Sequence, residues 1–343
     1  MKAAFLEKPG KLTVQEVPVP PCPEDRLLIR IREVGICGSD LHYYNEGRVG
    51  DNVVREPHIL GHECSGEVAE VGRLVQGFRL GDRVAIEPGL PCLACPRCLE
   101  GRYNLCPCVR FLGAPPNHGA FREYLTHDPR FVYPLPGNVS FTQGALAEPL
   151  AVAYNAVRKA GLRPGDTVLI VGAGAIGFSC LELARAAGAA RIIVVEPQEN
   201  RRAKALALQA ALVLDPRTED VVRRVGEFTS GRWCDCAIEA SGSEEGVAQA
   251  IRAIRKGGRI ALIGLGLAEA RIPYGEIMKK EALLAGVYRY ANNYRPVLDL
   301  LAAGRLDGEA WVSHRFPLRE IQRAMETAND PGVAKLKMMI TME

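Results

Sequence analysis

Cys92, Cys95, Cys98 and Cys106 fall in one short stretch with the spacing C-x2-C-x2-C-x7-C. Thiolates that close together suit a tetrahedral Zn2+ with four sulfur ligands and no open position, which is a structural rather than a catalytic arrangement. The intervening Pro96, Gly101, Tyr103 and Asn104 read as turns, so the loop is expected to need the metal to hold its shape. Disulfides are the competing reading and require an oxidising compartment. The chain opens Met1-Lys2-Ala3-Ala4 with no apolar signal segment, which favours the metal.

A second constellation is Cys37, His62, Glu63 and Glu148. A cysteine, a histidine and a carboxylate with a fourth position free make a catalytic zinc set. Taken singly, such residues are more often buried packing residues. Neighbours on an extended chain point to opposite sides, so His62 and Glu63 share one metal only if the backbone bends between them. Geometry alone prefers Glu148 as the carboxylate.

The third constellation binds a dinucleotide. Thr167–Val171 reads as a strand and runs into Gly172-Ala173-Gly174-Ala175-Ile176-Gly177, followed by a helical stretch. A G-x-G-x-x-G in that setting supports a tight turn at Gly172, close approach to a pyrophosphate at Gly174 and helix–strand packing at Gly177. The helix N-terminus stabilises the phosphate charge. Glu196 ends the next strand and is suited to the two adenosine ribose hydroxyls, which favours NAD over NADP. Arg201 and Arg202 oppose that preference, since an arginine there accommodates a 2′-phosphate.

These groups need elements to carry them. The 343 residues are 48% hydrophobic and 24% charged, the composition of a soluble globular protein of two domains. A net charge of +3 from 43 basic and 40 acidic interspersed residues leaves no basic block for nucleic acid or a membrane surface. No apolar run reaches the ~18 residues of a membrane span. Seven further cysteines are scattered without a disulfide framework, and a reducing, cytoplasmic setting is expected. Residues 1–150 carry short alternating segments (Leu27–Ile31, Gly66–Val71, Arg83–Ile86) and read as a mainly β domain with long loops. In 151–289, the strands Thr167–Val171, Arg191–Val195, Val213–Leu214, Asp235–Glu239 and Arg259–Ile263 alternate with helices near Ile176–Ala187, Glu199–Ala211 and Glu245–Ile254. Such alternation implies a doubly wound parallel sheet. Residues 290–343, with helices near Tyr294–Ala303 and Arg319–Ala328, are expected to complete the first domain.

The motif Gly61-His62-Glu63-x-x-Gly66-x5-Gly72-x2-Val75, followed by Gly81-Asp82-Arg83-Val84, resembles the zinc-containing medium-chain alcohol dehydrogenase superfamily. The resemblance extends over nearly the whole chain, with the first cysteine, the Gly-His-Glu motif, the four-cysteine lobe and the nucleotide fold in the family's order. Cys37-Gly38-Ser39-Asp40-Leu41-His42-Tyr43, Gly47-Arg48-Val49-Gly50-Asp51, Ala147-Glu148-Pro149-Leu150, Arg289-Tyr290 and Val312-Ser313-His314-Arg315-Phe316-Pro317 are similar to the sorbitol (polyol) dehydrogenases within it. Glu148 stands where zinc alcohol dehydrogenases place a second cysteine ligand, which argues against a simple alcohol dehydrogenase.

The resemblance implies a GroES-like mainly β catalytic domain, a Rossmann domain, two zinc ions per chain, NAD and a homotetramer. It makes Cys37, His62 and Glu63 direct ligands of the catalytic zinc, with Glu148 holding a zinc-held water or ligating alternately. Ser39 and His42 then relay the proton that leaves the substrate, although a surface histidine is the bland reading of His42. Tyr43, Glu148, Arg289 and Tyr290 occupy polyol-contacting positions. Gly172, Gly174, Ile176, Gly177, Glu196, Arg201, Ile263, Gly264, Leu265, Val287, Tyr288 and Arg289 line the NAD site. The expected reaction oxidises a secondary hydroxyl of a polyol to a ketose. L-threonine 3-dehydrogenase, a diol dehydrogenase and a non-catalytic relic of the fold are the rivals.

Overall fold

The computed structural model describes residues 1–266 and 269–342. The chain divides into two compact units, one formed by Met1–Glu148, Tyr294–Gly304 and Gly308–Glu343, the other by Pro149–Asn293 and Arg305–Asp307.

The first unit is built on a seven-stranded sheet in which Leu27–Gly35 is central. Its sequence LLIRIREVG sends Leu27, Ile29 and Ile31 to full burial, as alternation requires of one strand face. Glu63–Val71 pairs antiparallel on one side and Lys337–Thr341 antiparallel on the other. Gly35 is thereby the partner of both Glu63 and Met339. Register shifts at Leu28/Ile29 and Ile31/Glu33 mark bulges, which re-aim the strand end that precedes Cys37. The tail thus returns to the sheet through Lys337–Thr341 and, beside it, Val312–Pro317 in parallel.

The second unit holds six parallel strands in the order Leu212–Leu214, Arg191–Val195, Thr167–Val171, Cys234–Glu239, Ile254–Leu262, Leu283–Gly286. Strand order reverses between Thr167–Val171 and Cys234–Glu239, and the crevice at their carboxyl ends is where doubly wound sheets take ligands. Leu169, Ile193, Ala237 and Ile260 are fully buried within it.

Several boundaries differ from the expectation. The helix Glu199–Ala207 stops four residues early, where Gln209 takes φ +69°. The strand Ile254–Leu262 begins five residues early, because Ile254 is already extended and Gly257 at φ +70° carries the chain on. The helix Phe141–Lys159, which contains Gly144 and Pro149, had no counterpart among the expected elements. Its start is a Ser-x-x-Gln capping box: Gln143 N donates to Ser140 Oγ at 3.0 Å, and Ser140 N donates to Gln143 Oε1 at 3.0 Å. The boundary between the units falls inside this helix, between Glu148 and Pro149.

The central strand sets the stability of the first unit. Ile31→Ala leaves a cavity in a fully buried position and is expected to cost about 2–5 kcal/mol. Urea denaturation would read this as a lower midpoint with little change in slope.

Candidate metal centres and dinucleotide site

The four-cysteine loop is closed at its base by the strand pair Gly89–Leu90 and Arg110–Phe111. Inside it, a short helix Pro96–Leu99 with Cys95 as N-cap and a 3-10 turn Tyr103–Leu105 replace the plain turns expected. Pro96 at the first helical position makes the former, since its missing N–H needs no partner there. All four sulfurs lie within 4.8 Å of one another. Separations are 3.4 Å for Cys95–Cys98, 3.5 Å for Cys92–Cys106 and 4.0 Å for Cys92–Cys98. A tetrahedron with Zn–S of about 2.3 Å has edges of about 3.8 Å, whereas a disulfide needs about 2.05 Å. The donor set fits zinc, and all eleven cysteines are free thiols. Backbone N–H groups of Ala94 and Cys95 aimed at Cys92 hold its thiol down at about 6, favouring the ligating thiolate. The loop is tied to the sheet through Glu87, a buried carboxylate that accepts from Tyr103 Oη at 2.7 Å and Tyr133 Oη at 2.8 Å. Burial pushes Glu87 up to about 7, against the pull of the two phenols.

The open centre lies where the central strands of the same sheet end. Cys37 is the N-cap of the helix Gly38–Glu46, and its N–H donates to Asp40 Oδ2 at 2.9 Å. Asp40 Oδ1 accepts from Gly61 N at 3.0 Å and lies 3.7 Å from His62 Nδ1. One buried carboxylate therefore fixes the backbone of Cys37 and the turn at Gly61 and faces the ring of His62, the place that outer-shell carboxylates take beside metal-binding histidines. The donor atoms of Cys37, His62 and Glu63 lie within 4.8 Å of one another.

The geometric preference for Glu148 over Glu63 is not what this grouping contains. Gly61 at φ +89° turns the chain, so His62 stands ahead of the strand that starts at Glu63, and both side chains reach one place. Glu148 is buried and outside the triad. Its charge still acts on His62, with those of Asp40 and Cys37: burial opposes protonation of the ring, but these anions outweigh it and lift His62 to about 10. Such a field attracts a cation. A soft thiolate, an imidazole and a carboxylate within this reach fit zinc.

Ser39 is half-buried and His42 exposed; three residues apart on one helix, they share a face. His42 Nδ1 lies 3.1 Å from Glu46 Oε1, so its ring also has a surface partner. Tyr43 is buried.

In the second unit, Gly172 has φ +92°, and a Cβ there would lie 2.8 Å from Ser241 N. A Cβ on Gly177 would lie 2.0 Å from Gly172 O, whereas one on Gly174 would meet nothing within 4 Å. The first and third glycines are demanded by packing, and the second leaves space in front of the backbone, beside Ile176 at the start of the helix Ala175–Ala186. Glu196 is buried; it accepts from Ala173 N at 2.7 Å and Gln198 N at 2.9 Å. Arg202 is held by Asp215 at 3.0 Å, and Arg201 lies 3.9 Å from Glu196. Val287 N donates to Leu262 O at 2.9 Å. Leu265 and Tyr288 are exposed, the Arg289 guanidinium sits 5.0 Å from the Tyr288 ring centroid, and Tyr290 is buried.

The sequence assigned no site role to Asp40 or Glu239. Glu239, at the end of the strand Cys234–Glu239, accepts through Oε1 from Ser241 N and Gly242 N, and through its carbonyl from Ile263 N and Gly264 N. A Cβ on Gly264 would lie 2.1 Å from Gly242 N. One buried acid thus locks together two loops at the carboxyl edge of the sheet. The available signals were Asp40 three residues after the N-cap Cys37, and the run Glu239-Ala240-Ser241-Gly242 after an apolar strand.

Residues 23–137 match the model of the alcohol dehydrogenase GroES-like domain, and residues 175–303 that of the zinc-binding dehydrogenases. The chain is 40% identical to the sorbitol dehydrogenase of Bacillus subtilis (strain 168) over 342 residues, 99% of this chain and 97% of that one. A solved Escherichia coli oxidoreductase of unknown specificity superposes with a TM-score of 0.96 at 37% identity, covering 100% of this chain and 99% of the other. The 2R,3R-butanediol dehydrogenase of Bacillus subtilis gives 0.91 at 32% identity, covering 99% of each chain. The chain belongs to the zinc-containing medium-chain alcohol dehydrogenase superfamily. It is an oxidoreductase, with a GroES-like domain and a Rossmann-like parallel-sheet domain. Among the described residues, no helix is long and apolar enough to cross a membrane.

Asp40→Asn keeps the size of the side chain and removes its charge. It is expected to weaken retention of the metal at Cys37–His62–Glu63 by about 10- to 100-fold. Zinc analysis after dialysis against a mild chelator should show loss from this centre, with the four-cysteine loop still loaded.

Proposed function

We propose that this enzyme oxidises a secondary hydroxyl of a polyol of the sorbitol or xylitol kind to a ketose, with NAD as the hydride acceptor. The observation that carries the reading is the pairing, in one unit, of a closed four-thiolate set with an open Cys37–His62–Glu63 set backed by Asp40 and by the further carboxylate of Glu148. Its likeness to the Bacillus subtilis sorbitol dehydrogenase supports the substrate class. In this reading each chain carries two zinc ions, one in each set, and four chains assemble in the cytoplasm as a homotetramer.

Zinc, when bound, is a Lewis acid that lowers the pKa of a substrate hydroxyl, and NAD accepts a hydride, so alcohol and NAD+ become ketone, NADH and a proton. Cys37, His62 and Glu63 hold the metal. Asp40 faces the Nδ1 side of the His62 ring and steadies the backbone at Cys37 and Gly61. Glu148, placed where a neutral thiol or thiolate would offer no hydrogen-bond fork, takes the polar end of the substrate or a water. Ser39 would take up the departing proton while passing its own to the nicotinamide ribose, and His42, on the same helix face and exposed, would carry it on to solvent. Tyr43, Arg289 and Tyr290 supply donors for the remaining hydroxyls. Glu196 accepts from the adenosine ribose hydroxyls; with Arg202 taken by Asp215, a 2′-phosphate meets the Glu196 carboxylate, from which Arg201 lies 3.9 Å away.

A vicinal-diol substrate is the second reading, favoured by the match to the butanediol dehydrogenase. L-threonine remains the further alternative within the family, and rates on threonine, diols and polyols separate the three.

Glu196→Ser removes the repulsion of a 2′-phosphate and one or two hydrogen bonds to a charged acceptor. NAD should bind more weakly by ~1–3 kcal/mol, and use of NADP should rise. A wild-type enzyme that already prefers NADP would contradict the cofactor assignment.

Arg289→Leu is expected to lower kcat/KM for a polyol by roughly 10- to 100-fold while zinc content and NAD affinity stay near wild type. The slow turnover of 2-propanol, which has no further hydroxyl to hold, should change far less. Equal losses on both substrates would give Arg289 a role in cofactor or domain geometry instead.

A further inference from the structure

Lys337 is a lysine at 2% exposure in the sheet of the first unit, a position such side chains almost never occupy unless paired. It opens the strand Lys337–Thr341, which flanks the central strand on the side opposite Glu63. Its Nζ donates to Ile36 O at 2.9 Å and forms an ion pair with the Glu63 carboxylate. The pair crosses over Gly35. A Cβ on that glycine would lie 2.1 Å from Glu63 Oε2 and 2.9 Å from Lys337 Cε, so the missing side chain is the space the pair uses. Three adjacent strands, from distant parts of the sequence, thus deliver Cys37, Glu63 and Lys337 to one buried point.

A carboxylate in that place faces two cations. One is the fixed ammonium; the other is the metal that Cys37 and His62 share with it. Electron density drawn to the ammonium is withdrawn from the metal. We propose that Lys337 is a positioning residue that keeps Glu63 a weak, exchangeable metal ligand, so that a substrate hydroxyl or water can take over its coordination position. This inference rests on the reading of Cys37, His62 and Glu63 as the catalytic metal set, and it deepens that reading by giving the site a built-in competitor for one of its donors. Lys337 acts through Glu63 and has no contact with substrate in this account.

The test is a double-mutant cycle on zinc affinity, measured by competition with a chromogenic chelator on the full-length enzyme. The four proteins are wild type, Lys337→Met, Glu63→Gln and the double variant. Lys337→Met should tighten the catalytic zinc about 10-fold when Glu63 is present, because the carboxylate then answers to the metal alone. In the Glu63→Gln background the same change should alter affinity by less than about twofold, since the cycle isolates the pairwise contribution. Cobalt substitution gives a second readout: the visible bands should shift in Lys337→Met and return to the wild-type form in Lys337→Arg, which keeps the charge. Equal effects in both backgrounds, or unchanged or weakened affinity in Lys337→Met, would overturn the proposal. Should Lys337→Met not fold, Lys337→Arg carries the test. Affinity within about threefold of wild type then supports a role for the charge, and a larger change assigns Lys337 to packing. A wild-type protein that holds zinc only in its four-cysteine loop would instead remove the functional reading on which the inference stands.

Discussion

Cys37, Asp40, Glu63 and Glu148 bring acidic side chains to one end of the sheet, with the three carboxylates at 1%, 1% and 4% exposure. Buried charge of one sign is untenable without cations, and the architecture of the first unit can be understood as the answer to that constraint. Lys337 comes from the C-terminal strand to pair with Glu63, and the remaining demand is the one a divalent metal meets. Gly35 and Gly61 follow from the same constraint. The first opens room for the Glu63–Lys337 pair, and the second turns the chain so that adjacent residues face one point. Removing a single member leaves its partner buried and unpaired, which costs more than the interaction itself contributes.

The four-cysteine loop solves a different problem. It has few apolar residues of its own, with Leu93 and Leu99 exposed, and no hydrophobic core could hold it. Four sulfurs at tetrahedral spacing organise it from inside, and Glu87 binds it to the sheet from outside through two tyrosines. Metal binding is then also folding energy for the loop. The dinucleotide unit uses close backbone approach in place of metal: Gly172, Gly177, Gly242 and Gly264 allow contacts that any Cβ would forbid, and Glu239 closes them with hydrogen bonds.

Legibility in the sequence followed the range of the interactions. The four cysteines, the glycine-rich turn and its flanking strand are local patterns, and Thr167–Val171, Arg191–Val195 and Arg83–Ile86 begin and end where their apolar runs do. Cys37, His62 and Glu63 were readable as a set only by resemblance, because nothing in their spacing reveals that the ends of neighbouring strands bring them together. Lys337 and Asp40 were invisible for the same reason: a lysine near the chain end reads as solvated, and an aspartate in a first helical turn reads as a cap. Asp40 is in fact both, since its bond to Cys37 N is a capping interaction and its other oxygen serves Gly61 and His62. The helix Phe141–Lys159, which carries Glu148, was not among the expected elements, although Ser140 and Gln143 form a capping box at its start.

The account stands most directly on metal-dependent turnover of a defined substrate class. The measurement is NAD reduction by the purified protein across sorbitol, xylitol, ribitol, galactitol, butanediol and L-threonine. It is made as isolated, after removal of metal, and after return of zinc to about two ions per chain. The account predicts turnover of at least one polyol above butanediol and threonine, its loss with the metal and its recovery with zinc. Turnover that survives complete removal of zinc, or a preference for threonine over every polyol, would contradict it.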